Sequence, residues 1–337
     1  MGTQDRVLIT GGAGFIGSHL AREFLAAGHH VTALDDVSTG TWENLFDLAG
    51  EGRLKCVEGS VVDRPLIDAL VRDADVVCHL AAAVGVRLIV EEPLQSLRTN
   101  LMGTEAVLEA ASGRPVRVLL ASTSEVYGKS TRMPFREDDD VVIGPTLRNR
   151  WSYAAGKMVD EFLGLAYHQQ RGLAVVVFRL FNTVGPRQTG RYGMVVPRFV
   201  QAALDGKPLP VYGDGHQSRC FLHVRDAVDA IRRLADCPEA VGQVFNVGST
   251  ERVTILELAE RVLARTDGTV HRERITYVPY EAVYPPGFEE IRARVPDISK
   301  IASVTGWRPS RNLDAILDDV ILSRRPGSAK ALTPQHT

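Results

Sequence analysis

Tyr153 and Lys157 stand four residues apart in a stretch with helical spacing, Trp151 to Tyr167, so both side chains project from one helix face. A lysine cation beside a phenol favours the phenolate and draws its pKa from roughly 10 toward neutrality. Such a tyrosine can take the proton of a hydroxyl while hydride leaves the same carbon. The spacing alone proves little, because with eight tyrosines in the chain an accidental lysine at i+4 is common. Its position carries more weight. Upstream, the strand-like run Val116 to Ala121 continues into Ser122-Thr123-Ser124-Glu125-Val126-Tyr127-Gly128. The carboxyl edge of a strand is where ligands bind in parallel α/β sheets. Thr123, Ser124, Glu125, Tyr153 and Lys157 are the candidate catalytic set. Glu125 admits two readings: a carboxylate there can take a proton that a neighbouring ketone acidifies, or it can order a loop and hold hydroxyls.

A hydride needs an acceptor, and the amino-terminal segment supplies a place for one. Thr10-Gly11-Gly12-Ala13-Gly14-Phe15-Ile16-Gly17 joins a strand-like run to a helical one. Glycines at 11, 14 and 17 permit a tight turn and close approach of a pyrophosphate to the free N–H groups that open a helix. Glycine triplets are weak evidence alone. Here the triplet follows a strand, opens a helix and is followed eighteen residues after Gly17 by Asp35, at the end of the next strand-like run. A carboxylate at Asp35 accepts hydrogen bonds from ribose hydroxyls and repels a 2′-phosphate, favouring NAD over NADP. Asp36 is as well explained as the cap of the following turn.

These residues need a frame. Short β-branched runs at Val7 to Thr10, Val31 to Leu34, Leu54 to Val57, Val76 to Leu80, Val116 to Ala121 and Ala174 to Leu180 alternate with amphipathic segments such as Phe15 to Ala27 and Thr104 to Ala111. That rhythm predicts an α/β fold, a Rossmann-type doubly wound parallel sheet. After Phe181, breaks at Gly185-Pro186, Gly206-Lys207-Pro208 and Tyr284-Pro285-Pro286-Gly287 indicate a smaller, interleaved carboxyl-terminal substrate domain. We expect residues 1–180 to form the cofactor domain, with a return to the sheet near 220–250 through Gln243 to Val247. Residues 181–324 then form mainly the substrate domain, and the apolar-poor tail from Arg325 is disordered.

With 45% apolar and 24% charged residues, 337 residues can bury a large core without metal or disulfides. A net charge of −2 gives no long-range pull on nucleic acid or an anionic membrane, so the expected partner is a small molecule held by a few arginines. Cys56, Cys78, Cys220 and Cys237 show no paired spacing and read as buried free thiols in a reducing compartment, Cys56 and Cys78 within apolar strand-like runs. No histidine pattern has zinc spacing, so no metal is expected, and His79, at the end of an apolar run, reads as structural. With no signal-peptide pattern and no apolar run approaching 18 residues, the expected location is the cytoplasm. His223-Val224-Arg225-Asp226 looks like half a catalytic dyad but has no nucleophile, and is expected to cap a helix.

Together the residues resemble the extended short-chain dehydrogenase/reductases that act on nucleotide-sugars, a family of epimerases, dehydratases and decarboxylases. The resemblance runs from about Arg6 to Pro309 and rests on residues 10–17, His79-Leu80-Ala81-Ala82, Tyr153 and Lys157, Phe181-Asn182-Thr183-Val184-Gly185-Pro186-Arg187, and Gly306-Trp307-Arg308-Pro309. It implies bound NAD, with Gly11, Gly14, Phe15, Ile16, Gly17, Asp35, Asp36, Ser38, Gly40, Ser60, Val61, Leu80, Ala81, Ala82, Asn100, Tyr153 and Lys157 around it. Thr123 would hydrogen-bond the sugar C4 oxygen, and Tyr153 would be the base. For the substrate the resemblance points to Val86, Arg87, Asn182, Val195, Tyr212, Arg219 and Arg294, with Arg187 and Arg191 as weaker candidates. At Ser60-Val61 the family usually has an aspartate before the aliphatic residue, a departure that weakens the adenine contact.

Glu125 matches several dehydratases and UDP-glucuronate decarboxylases. Ala83-Val84-Gly85-Val86-Arg87 instead resembles the UDP-hexose and uronate 4-epimerases, and the Ser-Pro-Ala-Ser-Pro stretch of decarboxylases is absent. The expected reaction is therefore 4-epimerisation through transient C4 oxidation. Dehydration and uronate decarboxylation stand as the alternative, and ring contraction follows at a distance. A non-catalytic NAD-binding regulator is disfavoured by the intact Thr123, Tyr153 and Lys157. The resemblance also implies a homodimer through the helix of Tyr153 and its neighbour, with Leu163, Leu165 and Ala166 as candidates for that surface or for the core.

Overall fold

The computed structural model describes residues 4–83, 93–190, 194–284, 289 and 291–325. The predicted runs form strands β1 (Arg6–Thr10), β2 (His30–Asp35), β3 (Leu54–Glu58), β4 (Val76–His79), β5 (Arg117–Thr123) and β6 (Ala174–Leu180). Helices α1 (Phe15–Ala26), α2 (Arg64–Arg72), α3 (Pro93–Ala111) and α4 (Ser152–Arg171) lie between them. Beyond Leu180 come β7 (Thr183–Val184), α5 (Val195–Leu204), β8 (Leu209–Tyr212), β9 (Ser218–Cys220), β10 (Leu222–His223), α6 (Val224–Asp236), β11 (Gln243–Val247), β12 (Arg252–Thr254), α7 (Ile255–Asp267), β13 (Ile275–Val278), α8 (Ser299–Thr305) and α9 (Leu313–Arg324).

Seven described strands form one sheet in the order β11-β6-β5-β4-β1-β2-β3, every pair parallel. Parallel strands need crossovers, and these put helices on both faces, so the interior strands are apolar on both sides. One face is closed by α1 and α6, with Phe24, Ile231, Phe245 and Trp307 in its core. The other is closed by α2 and α3, with Ile67, Val71, Val107 and Val177. The fold is the expected doubly wound α/β sheet. A further core under α5, α7 and α9 gathers Phe199, Leu258, Leu263 and Leu317 around β8. Three two-stranded pairs, β7 with β10, β9 with β12 and β8 with β13, complete this region.

Several details depart from the sequence reading. β5 extends to Thr123, carrying the end of the strand to the first candidate catalytic residue. α3 starts at Pro93, well before the amphipathic segment read from Thr104. Cys56 is exposed, not buried, because β3 is the outermost strand of the sheet. Leu163 packs against the core of the α2/α3 face, whereas Phe162 next to it is 68% exposed. The expected disorder after Arg325 falls on residues 326–337, outside the described ones. No described helix is long and apolar enough to cross a membrane.

Candidate active site

The strand order reverses between β1 and β4, where Thr10 pairs with His79, and a crevice opens at the carboxyl ends of the strands. The glycine turn lies at its mouth. Gly11 has φ +72°, and a Cβ on it would stand 3.0 Å from the Ala81 amide nitrogen. A Cβ on Gly17 would stand 2.1 Å from the Gly11 carbonyl oxygen, an impossible contact that lets only glycine stand at position 17 in the first turn of α1. Gly14 caps that helix with extended backbone and no side-chain cap, so the N–H groups of Phe15, Ile16 and Gly17 are presented to a ligand.

Asp35 is buried and fixed, its two oxygens accepting from the N–H groups of Ala13 at 2.9 Å and Val37 at 2.8 Å. Burial pushes its carboxyl up while these N–H groups pull it down. Each oxygen keeps a further lone pair for a ribose hydroxyl. Asp36 is exposed and accepts from the Ser38 N–H at 3.0 Å, which fits the turn-cap reading. Between them Val37, a β-branched residue, is held at φ +50°, a conformation sustained only where surroundings impose it. A Cβ on Gly40 would meet the Ala13 oxygen at 2.9 Å, so this loop lies on the glycine turn.

On the opposite wall, Leu80 and Ala81 donate through their N–H groups to the Thr10 carbonyl (3.1 Å) and hydroxyl (3.2 Å), and Ala82 follows them. Buried Asn100 accepts from the Ala83 N–H at 2.8 Å. Ser60 accepts weakly from the Val62 N–H at 3.4 Å, and Val61 is buried. The glycine cradle, the uncapped helix start and the fixed carboxylate fit a dinucleotide without a 2′-phosphate.

The candidate catalytic residues converge on the next strand end. Thr123 accepts from the Glu125 N–H at 3.2 Å and starts a short turn, Ser124–Tyr127, in which Ser124 is buried. Lys157 is buried on α4, donates to the Ala121 carbonyl at 3.0 Å and pairs with Asp160 at 3.1 Å. Tyr153 lies one turn back, close enough to Glu125 and Asp160 to feel both charges. Burial and these two carboxylates push its phenol well above the ordinary tyrosine value. This corrects the expectation that Lys157 alone draws it down: the lysine cation is matched by Asp160.

At Glu125 the geometry bears on the two readings left open by the sequence. Its Oε1 lies 2.9 Å from Arg294 Nη1, and its Oε2 pairs with Arg150 Nη1. All three are largely buried. The two guanidinium groups outweigh desolvation and hold the carboxyl at about 2. A carboxylate so held is a weak base, which favours the ordering role over proton abstraction. Arg150 comes from the short turn Asn149–Trp151 and lies over the Trp151 ring at 5.6 Å. Neither Arg150 nor Asp160 was singled out from sequence. Asp160 carries a local signal in its i+3 spacing from Lys157, whereas Arg150 depends on a tertiary turn. Beneath the site, Arg179 on β6 pairs with Glu161 on α4 at 2.8 Å and lies over the Tyr127 ring at 4.8 Å, fixing strand, helix and turn together.

Toward the carboxyl-terminal region, Asn182 adopts φ +24° and donates to the Cys220 carbonyl at 3.1 Å, which puts it against the strand bearing Arg219. Val195 opens α5, and Tyr212 closes β8, where Arg198 donates to its hydroxyl and Tyr284 meets its ring edge-on at 6.0 Å. Arg187 keeps company with Asp47, Arg22 and Arg225 instead of Arg294. Val86, Arg87 and Arg191 lie outside the described residues. His223 caps α6, accepting from the Arg225 N–H at 3.0 Å. Among the described residues no group of three or more His, Cys, Asp or Glu is placed to hold a metal.

A family model described as GDP-mannose 4,6 dehydratase matches residues 8–320. The chain is 44% identical over 320 residues to the UDP-N-acetyl-alpha-D-glucosaminuronate decarboxylase of Bacillus cytotoxicus, covering 94% of this chain and 97% of that one. It is 36% identical over 318 residues to UDP-glucuronic acid decarboxylase 1 of Danio rerio, covering 94% and 72%. Among solved structures it resembles the UDP-glucuronic acid 4-epimerase of Bacillus cereus, in complex with UDP-glucuronic acid and NAD, with a TM-score of 0.83, 28% identity and coverage of 94% and 98%.

Proposed function

The chain belongs to the extended short-chain dehydrogenase/reductase family of NAD-dependent enzymes that modify nucleotide-sugars, and from that premise we propose that it decarboxylates a UDP-linked uronate. The observation that carries the proposal is the buried meeting of Arg150 and Arg294 on Glu125 beside Tyr153, two cations on one carboxylate. Two guanidinium groups gathered at the site are the chemistry that recognises a carboxylate, suited to one at C6. The likeness to two uronate decarboxylases favours this outcome over the epimerisation expected from the 83–87 motif.

NAD supplies the acceptor of the C4 hydride and later its return. With the positive charge that bound NAD would bring to draw its phenol back down, Tyr153 would take the C4 hydroxyl proton, and Thr123 would hold the C4 oxygen. The resulting 4-ketone stands β to the C6 carboxylate, so the C5–C6 bond breaks with its electrons passing into the ketone and carbon dioxide leaving. C5 then takes a proton from solvent, and Tyr153 would give its proton back to the C4 oxygen as the ketone is reduced. No base is needed to remove a C5 proton, which agrees with a Glu125 held near 2 and disfavours dehydration. Glu125 also tempers the arginines, since a carboxylate bound too tightly in the ground state resists leaving. Asn182 and Arg219 are proposed to hold the diphosphate, and Val195 and Tyr212 the base.

Purified protein with NAD and either UDP-N-acetylglucosaminuronate or UDP-glucuronate in deuterated water tests this. The expected product has lost carbon dioxide and carries one solvent deuterium at C5. An isomer of unchanged mass without deuterium would restore 4-epimerisation, and loss of water would establish dehydration. We further propose a homodimer through α3 and α4. Leu94 and Met102 on α3, and Val159 and Phe162 on α4, are exposed apolar side chains at spacings that share a helix face.

A further inference from the structure

The cluster at Glu125 is assembled from three separate segments: the turn Ser124–Tyr127, the turn Asn149–Trp151 and residues 291–297, which bear Glu125, Arg150 and Arg294. Each arginine meets one oxygen of Glu125, and two guanidinium groups drawn to one carboxylate repel each other. The same three segments meet a second time, nearer the surface. Lys129 follows the first turn, Trp151 is adjacent to Arg150, and Glu289 precedes the third segment. Glu289 Oε2 stands 2.7 Å from Lys129 Nζ and accepts from Trp151 Nε1 at 3.1 Å. The Trp151 ring is buried, with Lys129 Nζ 5.5 Å and Arg150 Cζ 5.6 Å from its centre. The Gly144 backbone lies so close to it that a Cβ there would collide with the indole nitrogen, so the ring is held from that side too. The far end of residues 291–297 is anchored independently. Phe135 donates to the Val295 carbonyl and accepts from the Asp297 N–H, both at 2.8 Å, and Ser218 at the start of β9 donates to the Arg292 carbonyl at 2.8 Å. Arg294 lies between these bonds and Glu289, which joins its segment to that of Arg150 without passing through the site.

We infer that Glu289 is a positioning residue: through Trp151 Nε1 and Lys129 it holds the segments of Arg150 and Arg294 together, so that the two guanidinium groups keep their spacing when a substrate carboxylate competes with Glu125 for them. The inference deepens the uronate reading and rests on it for the ligand. Glu125 alone does not secure that spacing, because each arginine that turns to the substrate loosens its hold on Glu125. The Lys129 pair is half-exposed on both sides, and such a pair contributes little by itself. The indole hydrogen bond is the stronger tie, since its donor belongs to a buried ring next to Arg150. A neutral acceptor at position 289 therefore keeps most of the effect, and a methyl group does not.

Binding is read by calorimetry in NADH-loaded protein, where C4 oxidation cannot begin. The ligands are UDP-glucuronate and UDP-glucose, which differ only in the carboxylate or hydroxymethyl group at C6. Wild type is expected to prefer the uronate. Glu289→Ala is expected to lower that preference at least about fivefold, by weakening the uronate while the hexose stays within about twofold. Glu289→Gln, which keeps an acceptor for the indole N–H, is expected to retain most of it. Trp151→Phe should act like Glu289→Ala, and the double variant should fall no further than the larger single change. An unchanged preference in Glu289→Ala would overturn the proposal, as would additive losses in the double variant or equal weakening of both ligands. A wild type with no preference for the uronate fails the uronate reading instead, and hydrogen exchange without added sugar then decides. The amides of residues 291–297 should exchange at least about tenfold faster in Glu289→Ala, and unchanged exchange would end the positioning role.

Discussion

Tyr153 and Glu125 carry opposite lessons about what a spacing implies. Tyr153→Phe removes the hydroxyl and leaves the ring, so the fold by circular dichroism and the affinity for NAD should stay unchanged while turnover falls by about two or more orders of magnitude. Turnover within a few-fold of wild type would refute the assignment. For Glu125, the motif permitted a base, but two arginines brought by distant segments hold it at about 2. Glu125→Gln removes one negative charge from beside these guanidinium groups, so a uronate should bind more tightly and leave more slowly. The expected steady-state result is a lower KM together with kcat reduced about tenfold. A higher KM at unchanged kcat would show that Glu125 merely holds hydroxyls. The Tyr153 and Lys157 positions were legible because four residues of helix place them together. The Arg150, Glu125 and Arg294 cluster was not, because residues 125, 150 and 294 meet only through tertiary structure.

Among the elements, strands were legible wherever β-branched runs lie inside the sheet, since burial on both faces demands them. Cys56 misled because the edge position of β3 exposes what its sequence made look buried. α1 was legible from its glycines together with the amphipathic run from Phe15 to Ala27, and Gly17 gives its sharpest test. A methyl there would lie 2.1 Å from a backbone oxygen that cannot swing away. Gly17→Ala should therefore shift the start of α1, weaken NAD binding at least about tenfold by calorimetry and destabilise the fold by about 1–3 kcal/mol. Wild-type affinity would mean the turn is not the pyrophosphate cradle. The helix pair α3 and α4 offers a second test. Phe162→Glu puts charge on the exposed face proposed for dimerisation and leaves the Leu163 side, packed on the core, untouched. Light scattering at micromolar concentration should then give a dimer for wild type and a monomer for the variant, and a monomeric wild type would remove the proposal.

At the scale of the whole molecule, the sheet gathers at one edge the chemistry that the sequence scatters, and it does so by burying titratable groups. His79 was read correctly as lying at the end of an apolar strand, but its partners Thr10 and Thr104 come from β1 and α3, a convergence that no local pattern announces. That burial has a consequence for the stability of the entire chain. In the folded protein His79 is lowered to about 3, whereas an unfolded histidine titrates near 6.5. Above about pH 6.5 the ring is neutral in both states and its contribution is fully present. As pH falls below that value the unfolded chain binds a proton that the folded chain refuses, so stability declines until the folded value is reached. Between pH 7 and pH 5 this one group is expected to remove about 2 kcal/mol. Glu125, lowered from 4.5 to about 2, begins to act only below that window. His19 is lowered to about 3 as well and adds to the same slope, so the wild type alone does not isolate His79. His79→Asn does: it keeps a neutral polar side chain against Thr10 or Thr104 and cannot titrate. Urea unfolding at pH 7 and pH 5 should show the variant less stable than wild type at pH 7 but losing about 2 kcal/mol less on acidification, and equal losses in the two proteins would show that His79 is protonated in the fold.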